Sequence, residues 1–274
     1  MTDDGVGGPA RKLEASDAPV VRGGSTVLQR PATAGSLSAW GNVLSGLRGR
    51  LVVSCQAPPG HPLSELRSIV AMCICAEQGG AAGVRVEGSA AVRAAKDAVG
   101  VPVIGLKKVW VGSTSLGRGR AAITPEVTDA VEIASAGADI VAIEATKELR
   151  GQGVAAHLRA VSAELEVPVL ADVSTLDEGI AAFNAGAQVV GTTLSGYTAY
   201  SVPQKNPDLS LVADLVARHV PTVAEGRISC PEEGVAAIAS GALFVIVGKT
   251  ITDPLARTAA FEAVLGERRR EARL

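Results

Sequence analysis

Eight short apolar segments recur along this chain of 274 residues, and they constrain its fold more than any other feature. In chain order they read LVVSCQ, AGVRVEG, VPVIGLKK, ADIVAIEA, VPVLADVS, AQVVGTTL, VPTVAEGR and ALFVIVGK. A short run of Val, Ile and Leu bounded by Gly, Pro or polar residues is typical of a buried β-strand. The sequence therefore predicts eight strands, the first of which begins at residue 51.

The segments between these strands have the three-to-four spacing of amphipathic helices. They include TPEVTDAVEIASAGA, TLDEGIAAFNAGA and CPEEGVAAIASGA, and most have a Ser, Thr or Asp near the start and a Gly near the end. Alternating strands and helices, with strands that are apolar on both faces, predict a parallel sheet covered by helices. Eight such units in about 220 residues favour a (β/α)8 TIM barrel over an open doubly wound sheet, because no strand is polar enough for a sheet edge.

The start of the chain does not follow this repeat. Residues 1–35 carry Gly, Pro, Ser and scattered charges without periodicity, so we expect a flexible tail there. The segment GSLSAWGNVLSGLRGR predicts a short helix, capped by Ser36, that covers the bottom of the barrel. We therefore expect a tail over 1–35 and one TIM-barrel domain over 36–274.

Composition limits the partners and the compartment. A formal charge of −2 is nearly neutral, so the composition does not suggest the basic surface that nucleic-acid binding needs. The first residues lack an apolar signal core and no later apolar run could span a bilayer, so we expect a cytoplasmic protein without a membrane partner. Cys73 and Cys75 point to different helix faces without a His at ligand spacing, which favours reduced thiols and no metal over a structural zinc site.

Polar residues collect where the strands end. The set consists of Gln56, Arg85, Glu87, Lys107, Lys108, Glu144, Asp172, Thr192, Thr193, Glu225, Arg227, Lys249 and Thr250. The carboxyl ends of barrel strands line one mouth, where mixed Lys, Glu and Asp side chains shift one another's pKa towards values useful for proton transfer. For Asp172 or Thr250 alone, a hydrated strand end or a helix cap explains the residue equally well.

The loops after the last two strands have features of a phosphate site. AEGRIS and VGKTITDP place Gly226 and Gly248 where the backbone can approach an anion, and Arg227 or Lys249 could neutralise it. The GKT triplet lacks the upstream glycine spacing of a nucleotide-binding P-loop, which excludes that interpretation.

Several of these segments together resemble a known family. LVVSCQA, GGAAGVRVEG, VPVIGLKK, ITPEV, DIVAIEAT, ADVST, VGTTLSGYT, NPDL, VAEGRI and VGKTITDP occur in the order found in the N-acetylmannosamine-6-phosphate 2-epimerases of sialic acid catabolism. The resemblance runs from about residue 37 to the last helix, and GTTLSGYT beside AEGRI is its most specific part. It implies a catalytic TIM barrel, usually homodimeric, that interconverts N-acetylmannosamine 6-phosphate and N-acetylglucosamine 6-phosphate at C2 without a cofactor.

The resemblance also assigns roles to residues. It selects Lys108 rather than Lys107 as the family's lysine, and Glu225 as the glutamate of the seventh strand. The implied substrate-binding set is Gln56, Arg85, Asp172, Thr193, Tyr197, Gly226, Arg227, Gly248 and Lys249. Inversion requires a proton to leave C2 and return to the opposite face through an enediolate, and we expect Lys108 to carry it. Glu225 could set the protonation state of Lys108, open the sugar ring or act as the opposite proton carrier, whereas a merely hydrated strand end is the simpler alternative.

The sequence departs from the family around the catalytic loop and the phosphate site. Val109 and Trp110 replace the usual Arg and Asp, and a longer loop, VGSTSLGRGRAA, follows them. In the last motif Lys249 stands in place of Ser and Asp253 in place of Arg, so we expect Asp253 to repel phosphate. We expect the remaining positive charge to come from Lys249, Arg85 and either Arg118 or Arg120.

Strand four departs as well, with Glu144 where Asp is usual and Glu148 where Arg is frequent. These departures leave two alternatives open. One is an epimerase or isomerase for a different or unphosphorylated amino sugar, and the other is a non-catalytic protein that binds sugar phosphates.

Overall fold

Eight parallel strands close into a barrel in the computed structural model, which describes residues 34–113 and 119–271. The barrel strands are β1 (Leu51–Ser54), β2 (Gly83–Glu87), β3 (Val103–Leu106), β6 (Ile140–Glu144), β7 (Val169–Asp172), β8 (Val189–Gly191), β9 (Thr222–Glu225) and β10 (Val245–Val247). Each strand pairs with its neighbours in parallel, and β10 pairs with β1 to complete the ring. The predicted TIM barrel is confirmed.

Helices surround the ring, as the alternating pattern predicts. They are α1 (Ala34–Leu47), α2 (Leu66–Gln78), α3 (Ser89–Ala98), α4 (Val127–Ser135), α5 (Lys147–Arg150), α6 (Val154–Glu164), α7 (Leu176–Asn184), α8 (Leu209–Ala217), α9 (Pro231–Ala239), α10 (Lys249–Thr252) and α11 (Pro254–Glu271). In the parts of the chain described above, no helix is both long and apolar enough to cross a membrane.

Side chains alternate between the barrel interior and the helix layer along each strand. The interior cluster includes Val52, Ile104, Leu106, Ile140, Leu170, Val189, Val223 and Ile246. The residues between them pack outward under the helices, and they include Val53, Val84, Val103, Val141, Val169 and Val190. This period of two is the ordinary geometry of a strand, and it explains why the strands are apolar on both faces.

Helix α1 closes the lower end of the barrel, as predicted. The fully buried Leu47 belongs to the interior cluster, and Trp40 Nε1 donates to the carbonyl of Glu166 at 2.6 Å. The helix begins at Ala34, two residues before the predicted cap at Ser36. Residues 1–33 of the predicted tail lie outside the described part of the chain.

The segment after β3, which the sequence suggests is a loop, contains a β-hairpin. Its strands are β4 (Lys108–Ser113) and β5 (Gly119–Ile123), which pair in antiparallel register. Thr124 anchors the base, because its amide donates to the carbonyl of Lys107 at 2.6 Å and its hydroxyl donates to the carbonyl of Ala142 at 2.7 Å. The hairpin therefore rises from the carboxyl-terminal rim of the barrel.

Candidate active site

The interior positions become polar at the carboxyl ends of the strands. Along β3 and into β4, the inward positions are Ile104, Leu106 and then Lys108, whereas Lys107 points outward. Lys107 Nζ lies 2.8 Å from carboxylate oxygens of both Asp129 and Glu132 on α4. The same alternation brings Arg85 and Glu87 from β2 and Glu225 from β9 to the mouth.

A buried arginine joins two carboxylates across this mouth. Arg85 is 1% exposed, and its Nη2 lies 2.6 Å from Asp172 Oδ2 while its Nη1 contacts Glu225 Oε2. The hydroxyl of Thr193 lies 2.5 Å from Asp172 Oδ1 and 3.1 Å from Glu225 Oε2. One guanidinium and one hydroxyl therefore fix two acids from β7 and β9 relative to each other, which is the strongest kind of side-chain hydrogen bonding.

The environment of Glu225 raises its pKa to about 7. Burial of the carboxylate is the main cause and the charge of Asp172 adds to it, while the positive charges of Arg85 and Lys108 oppose the shift. Asp172, which is completely buried, also has a raised pKa because of its desolvation. A carboxyl with a pKa near neutrality can both accept and donate a proton at physiological pH.

Lys108 shifts in the opposite direction. Desolvation lowers its pKa, and the charges of Arg85 and Lys249 lower it further, whereas Glu87 and Glu225 oppose the change. Its side chain stays open to solvent at the mouth, although the surrounding protein displaces part of its water. Since β3 and β9 are four strands apart in the ring of eight, Lys108 and Glu225 approach the same space from opposite walls.

Arg227 and Tyr197 organise the loop that follows β8. Arg227 donates from Nη1 to the carbonyl of Ser195 at 2.7 Å and from Nε to the carbonyl of Asn206 at 2.9 Å, and it lies 5.0 Å from the centre of the Tyr197 ring. Gly226, with φ of 106°, allows the turn out of β9 that positions this guanidinium. These contacts account for much of the hydrogen-bonding capacity of Arg227, so its predicted role in substrate binding stays a prediction.

The other predicted phosphate ligands surround the end of β10. Gly248 precedes α10, and Lys249 is exposed at the first position of that short helix. Gln56 lies across from them after β1 and donates to the hydroxyl of Ser54 at 2.8 Å. A Cβ on Gly248 would contact Ser54 Cβ at 3.4 Å, so the ends of β1 and β10 approach each other closely at this point.

Comparisons with known proteins identify the family of this chain. The family described as "Putative N-acetylmannosamine-6-phosphate epimerase" matches residues 69–267. A protein of Caldanaerobacter subterraneus subsp. tengcongensis named "Putative N-acetylmannosamine-6-phosphate 2-epimerase" is 40% identical over 233 residues, which span 83% of this chain and 96% of that protein. A protein of the same name from Klebsiella pneumoniae subsp. pneumoniae is 42% identical over 204 residues, spanning 74% and 84%.

A solved structure gives the same result. The N-acetylmannosamine-6-phosphate 2-epimerase from Clostridium perfringens superposes with a TM-score of 0.73 at 35% identity, and the match covers 81% of this chain and 95% of that one. This chain belongs to the N-acetylmannosamine-6-phosphate 2-epimerase family. The resemblance derived from the sequence is therefore confirmed.

The structure explains one departure from the epimerase family pattern near the phosphate site. Asp253 Oδ1 accepts a hydrogen bond from the amide of Ala256 at 2.8 Å and lies 3.4 Å from His61 Nε2. The helix amide, and to a lesser degree His61, hold the pKa of Asp253 below its usual range. The carboxylate thus caps α11, and its charge is partly compensated there. Arg118 and the Arg120 side chain lie outside the described part of the chain.

The two acids of strand four also have structural partners. Glu144 is completely buried. Its carboxylate accepts hydrogen bonds from the hydroxyl of Thr146 at 2.5 Å and from the amide of Ile123 at 3.3 Å, so it links β6 to the base of the hairpin. Glu148 accepts the amide of Ala199 at 2.6 Å and so secures the loop after β8.

Glu87 belongs to the predicted strand-end set but has no role among the catalytic and substrate-binding residues that the resemblance implies. Its Oε1 accepts the amide of Lys108 at 3.3 Å, and its charge opposes the fall in the pKa of Lys108. The signal was present in the sequence, because Glu87 follows Arg85 by two residues on the same strand and must share its inward direction. Among the described residues, no group of three or more His, Cys, Asp and Glu side chains is placed to hold a metal ion.

Proposed function

We propose that this protein interconverts N-acetylmannosamine 6-phosphate and N-acetylglucosamine 6-phosphate by inverting C2 through proton abstraction and return, without a cofactor. The observation that carries the proposal is the pair formed by Lys108 and Glu225. They stand on opposite walls of one mouth, and their environments lower the pKa of the amine and raise that of the carboxyl towards neutrality. Two groups with convergent pKa values suit an exchange of one proton between two faces of a carbon.

The reaction needs an open-chain sugar whose C1 aldehyde acidifies the C2 hydrogen. In one direction the neutral amine of Lys108 removes that hydrogen, the C–H electron pair forms a C1–C2 double bond, and the negative charge moves to O1. The resulting anion is an enolate, because C2 carries nitrogen rather than oxygen. The protonated carboxyl of Glu225 then donates to C2 from the other side, and the reverse direction exchanges the two roles. Arg85 supplies fixed positive charge beside this anion.

A proton NMR time course of N-acetylmannosamine 6-phosphate in deuterated water tests the proposal. We expect N-acetylglucosamine 6-phosphate to appear with deuterium at C2. Equal turnover of free N-acetylmannosamine would favour the alternative enzyme for unphosphorylated sugars, and binding without deuterium uptake would favour the non-catalytic alternative.

Phosphate recognition is proposed to depend on Lys249. Replacing Lys249 by alanine is expected to raise the KM for the phosphorylated sugar about 10-fold or more, since a hydrogen bond to a charged group contributes roughly 1.5–3 kcal/mol. The kcat should change less than the KM, because Lys249 is the smallest of the contributions to the pKa of Lys108. Steady-state kinetics check this, with Lys205→Ala, an exposed lysine of the loop after β8, as the control. An unchanged KM would show that other groups hold the phosphate.

We also propose that the protein is a homodimer in which α11 of each copy packs against the barrel of the other. An apolar groove of about 700 Å³ runs along the outer wall beside β10, and its lining includes Leu51, Pro231, Val235, Ile238, Val245 and Val247. In a regular barrel the last helix covers this wall. Here α11 has its most extensive contacts with α10, and Phe261, Val264 and Leu265 stay exposed at helical spacing. The exposed apolar face of α11 in one copy can therefore pack into the apolar groove of the other copy. The same contact in reverse completes a dimer with two-fold symmetry.

Replacing both Phe261 and Leu265 by aspartate is therefore expected to convert the dimer to a monomer. Each aspartate would place a charge in an apolar contact, at a cost of several kcal/mol. Light scattering after size-exclusion chromatography measures the mass, and Glu267→Gln on the same helix serves as the control. A monomeric wild-type protein, or a dimer that survives the double substitution, would contradict the arrangement.

The cytoplasmic location stays a prediction. All four cysteines are free in the structure, as is usual for proteins of a reducing compartment.

A further inference from the structure

An exposed tryptophan stands beside the proposed proton carrier. Trp110 lies on β4, two residues after Lys108, and its side chain is 67% exposed. The chain contains two tryptophans, and the other, Trp40, is buried at the opposite end of the barrel with its indole N–H bonded. Tryptophan is a large apolar side chain that usually stabilises a protein by being buried. An exposed indole does not contribute this free energy to the fold, so its position requires an explanation.

The strand geometry directs Trp110 to the mouth. Residues two apart on a strand share a face, so Trp110 stands on the same side of β4 as Lys108, with the two Cα atoms about 7 Å apart. Lys108 interacts electrostatically with Arg85, Glu87, Glu225 and Lys249, which places that side of the hairpin over the mouth.

The hairpin holds this position through contacts at its base. Lys107 accepts from the amide of Thr124 and donates its own amide to the hydroxyl of Thr124 at 3.0 Å, while Ile123 donates to Glu144 at 3.3 Å. Across the hairpin, Trp110 pairs with Ala121, whose methyl group is too small to cover an indole. The backbone of Trp110 is thus held near Lys108, and its ring is largely exposed.

Another part of the rim also presents aromatic rings. Tyr197 and Tyr200 lie on the loop after β8 and are 49% and 57% exposed. Trp110 and both tyrosines of the chain therefore border the carboxyl-terminal opening, although aromatic residues make up 3% of the sequence. Aromatic rings at the entrance of a polar pocket suit a ligand that has both apolar and hydrogen-bonding surfaces.

We propose that Trp110 forms the apolar wall for the N-acyl group of the substrate and thereby determines which N-acyl amino sugars the site accepts. The inference rests on the proposed function, in which Lys108 contacts the hydrogen on C2. The acyl nitrogen is bonded to that same carbon, so a ring beside Lys108 on the same face is adjacent to the acyl substituent. The methyl of an acetyl group can pack on indole, whereas the hydroxyl of a glycolyl group would lose water without gaining a partner.

Kinetics with two substrates test this role. Trp110→Ala is expected to raise the KM for N-acetylmannosamine 6-phosphate about 3- to 10-fold, to leave kcat within about twofold, and to reduce the preference for N-acetyl over N-glycolyl substrate. Trp110→Phe, which keeps an aromatic wall, should retain most of the affinity and the preference. A KM and an acyl preference that are unchanged in Trp110→Ala would overturn the inference.

Iodide quenching of tryptophan fluorescence gives an independent readout. Iodide reaches the exposed Trp110 but not the buried Trp40, so saturating N-acetylglucosamine 6-phosphate should reduce quenching in the wild type and have no effect in Trp110→Phe. Quenching that is unaffected by bound sugar phosphate would also overturn the inference. Wild-type protein without C2 inversion would instead overturn the proposed function, and this assignment with it.

Discussion

Replacing Lys108 by alanine is expected to slow C2 inversion, and the deuterium uptake that accompanies it, by orders of magnitude while the barrel stays folded. A positioned acid or base contributes roughly 10²- to 10⁴-fold to the rate, and Lys108 reaches the mouth from the end of β3, where an alanine leaves a solvent-filled gap rather than a cavity in the core. Glu225→Gln, which keeps the shape of the side chain but cannot ionise, should slow C2 inversion by a factor of the same order. Proton NMR in deuterated water measures both rates, and circular dichroism verifies the fold.

Lys107 supplies the matched control for this experiment. It is adjacent to Lys108 and has the same side chain, but it pairs with Asp129 and Glu132 outside the barrel. Lys107→Ala should therefore exchange deuterium at the rate of the wild type. Undiminished C2 inversion in Lys108→Ala or in Glu225→Gln would remove that residue from the mechanism. A loss of inversion confined to Lys107→Ala would assign the chemistry to Lys107, on the outer side of the strand.

Arg85→Met is expected to lower the free energy of unfolding by about 3–5 kcal/mol, the usual cost of removing one partner from a buried ion pair. Arg85 is enclosed by protein, and its loss would leave Asp172 and Glu225 without their positive partner. The folded protein would then bind protons more tightly at both carboxyls, which raises their pKa values further above those of the unfolded chain. Stability should consequently fall as the pH rises, so the loss should be larger at pH 8 than at pH 5.

Urea unfolding of Arg85→Met at the two pH values measures this effect. The control is Arg67→Met, because Arg67 forms an exposed pair with Glu65 at 2.8 Å, with side chains that are 84% and 64% exposed. Exposed pairs contribute about 0–1 kcal/mol, so that substitution should have little effect at either pH. Equal losses for the two arginine variants, or a loss for Arg85→Met that diminishes at high pH, would contradict the proposed role of the buried pair.

The barrel could be predicted because its signal is local and repeated. Each strand is recognised by its own apolar run and each helix by the three-to-four spacing of its apolar residues. An error in one strand–helix unit therefore does not affect the recognition of the other units. The strand ends located the mouth residues in the sequence, but the choice of Lys108 over Lys107 came from the resemblance to the epimerase family. In the structure the period of two accounts for that choice, because Lys108 continues the inward series of Ile104 and Leu106.

The pairing within the mouth could not be predicted in this way. Arg85 meets Asp172 and Glu225 across 87 and 140 residues of sequence, and only ring closure brings them together. The hairpin was missed as well, because its connection, TSLGR, is mostly polar and its second strand, GRAAI, has few β-branched residues. From the sequence alone, Asp253 is expected to repel phosphate. The sequence does not show that the amide of Ala256 donates a hydrogen bond to this carboxylate and that His61 lies beside it.

Leu47 and Phe244 fill the lower end of the barrel. Among the described residues, the charged side chains at the carboxyl ends of the strands therefore meet water at the upper rim. A hydrogen taken from C2 must then leave by the opening through which the sugar entered. While the sugar occupies that opening, the abstracted proton stays on a protein group. It then either returns to carbon or exchanges with solvent. With tritium at C2, the share of label that unconverted substrate loses to water would report how well a bound sugar keeps solvent away from the proton held by Lys108.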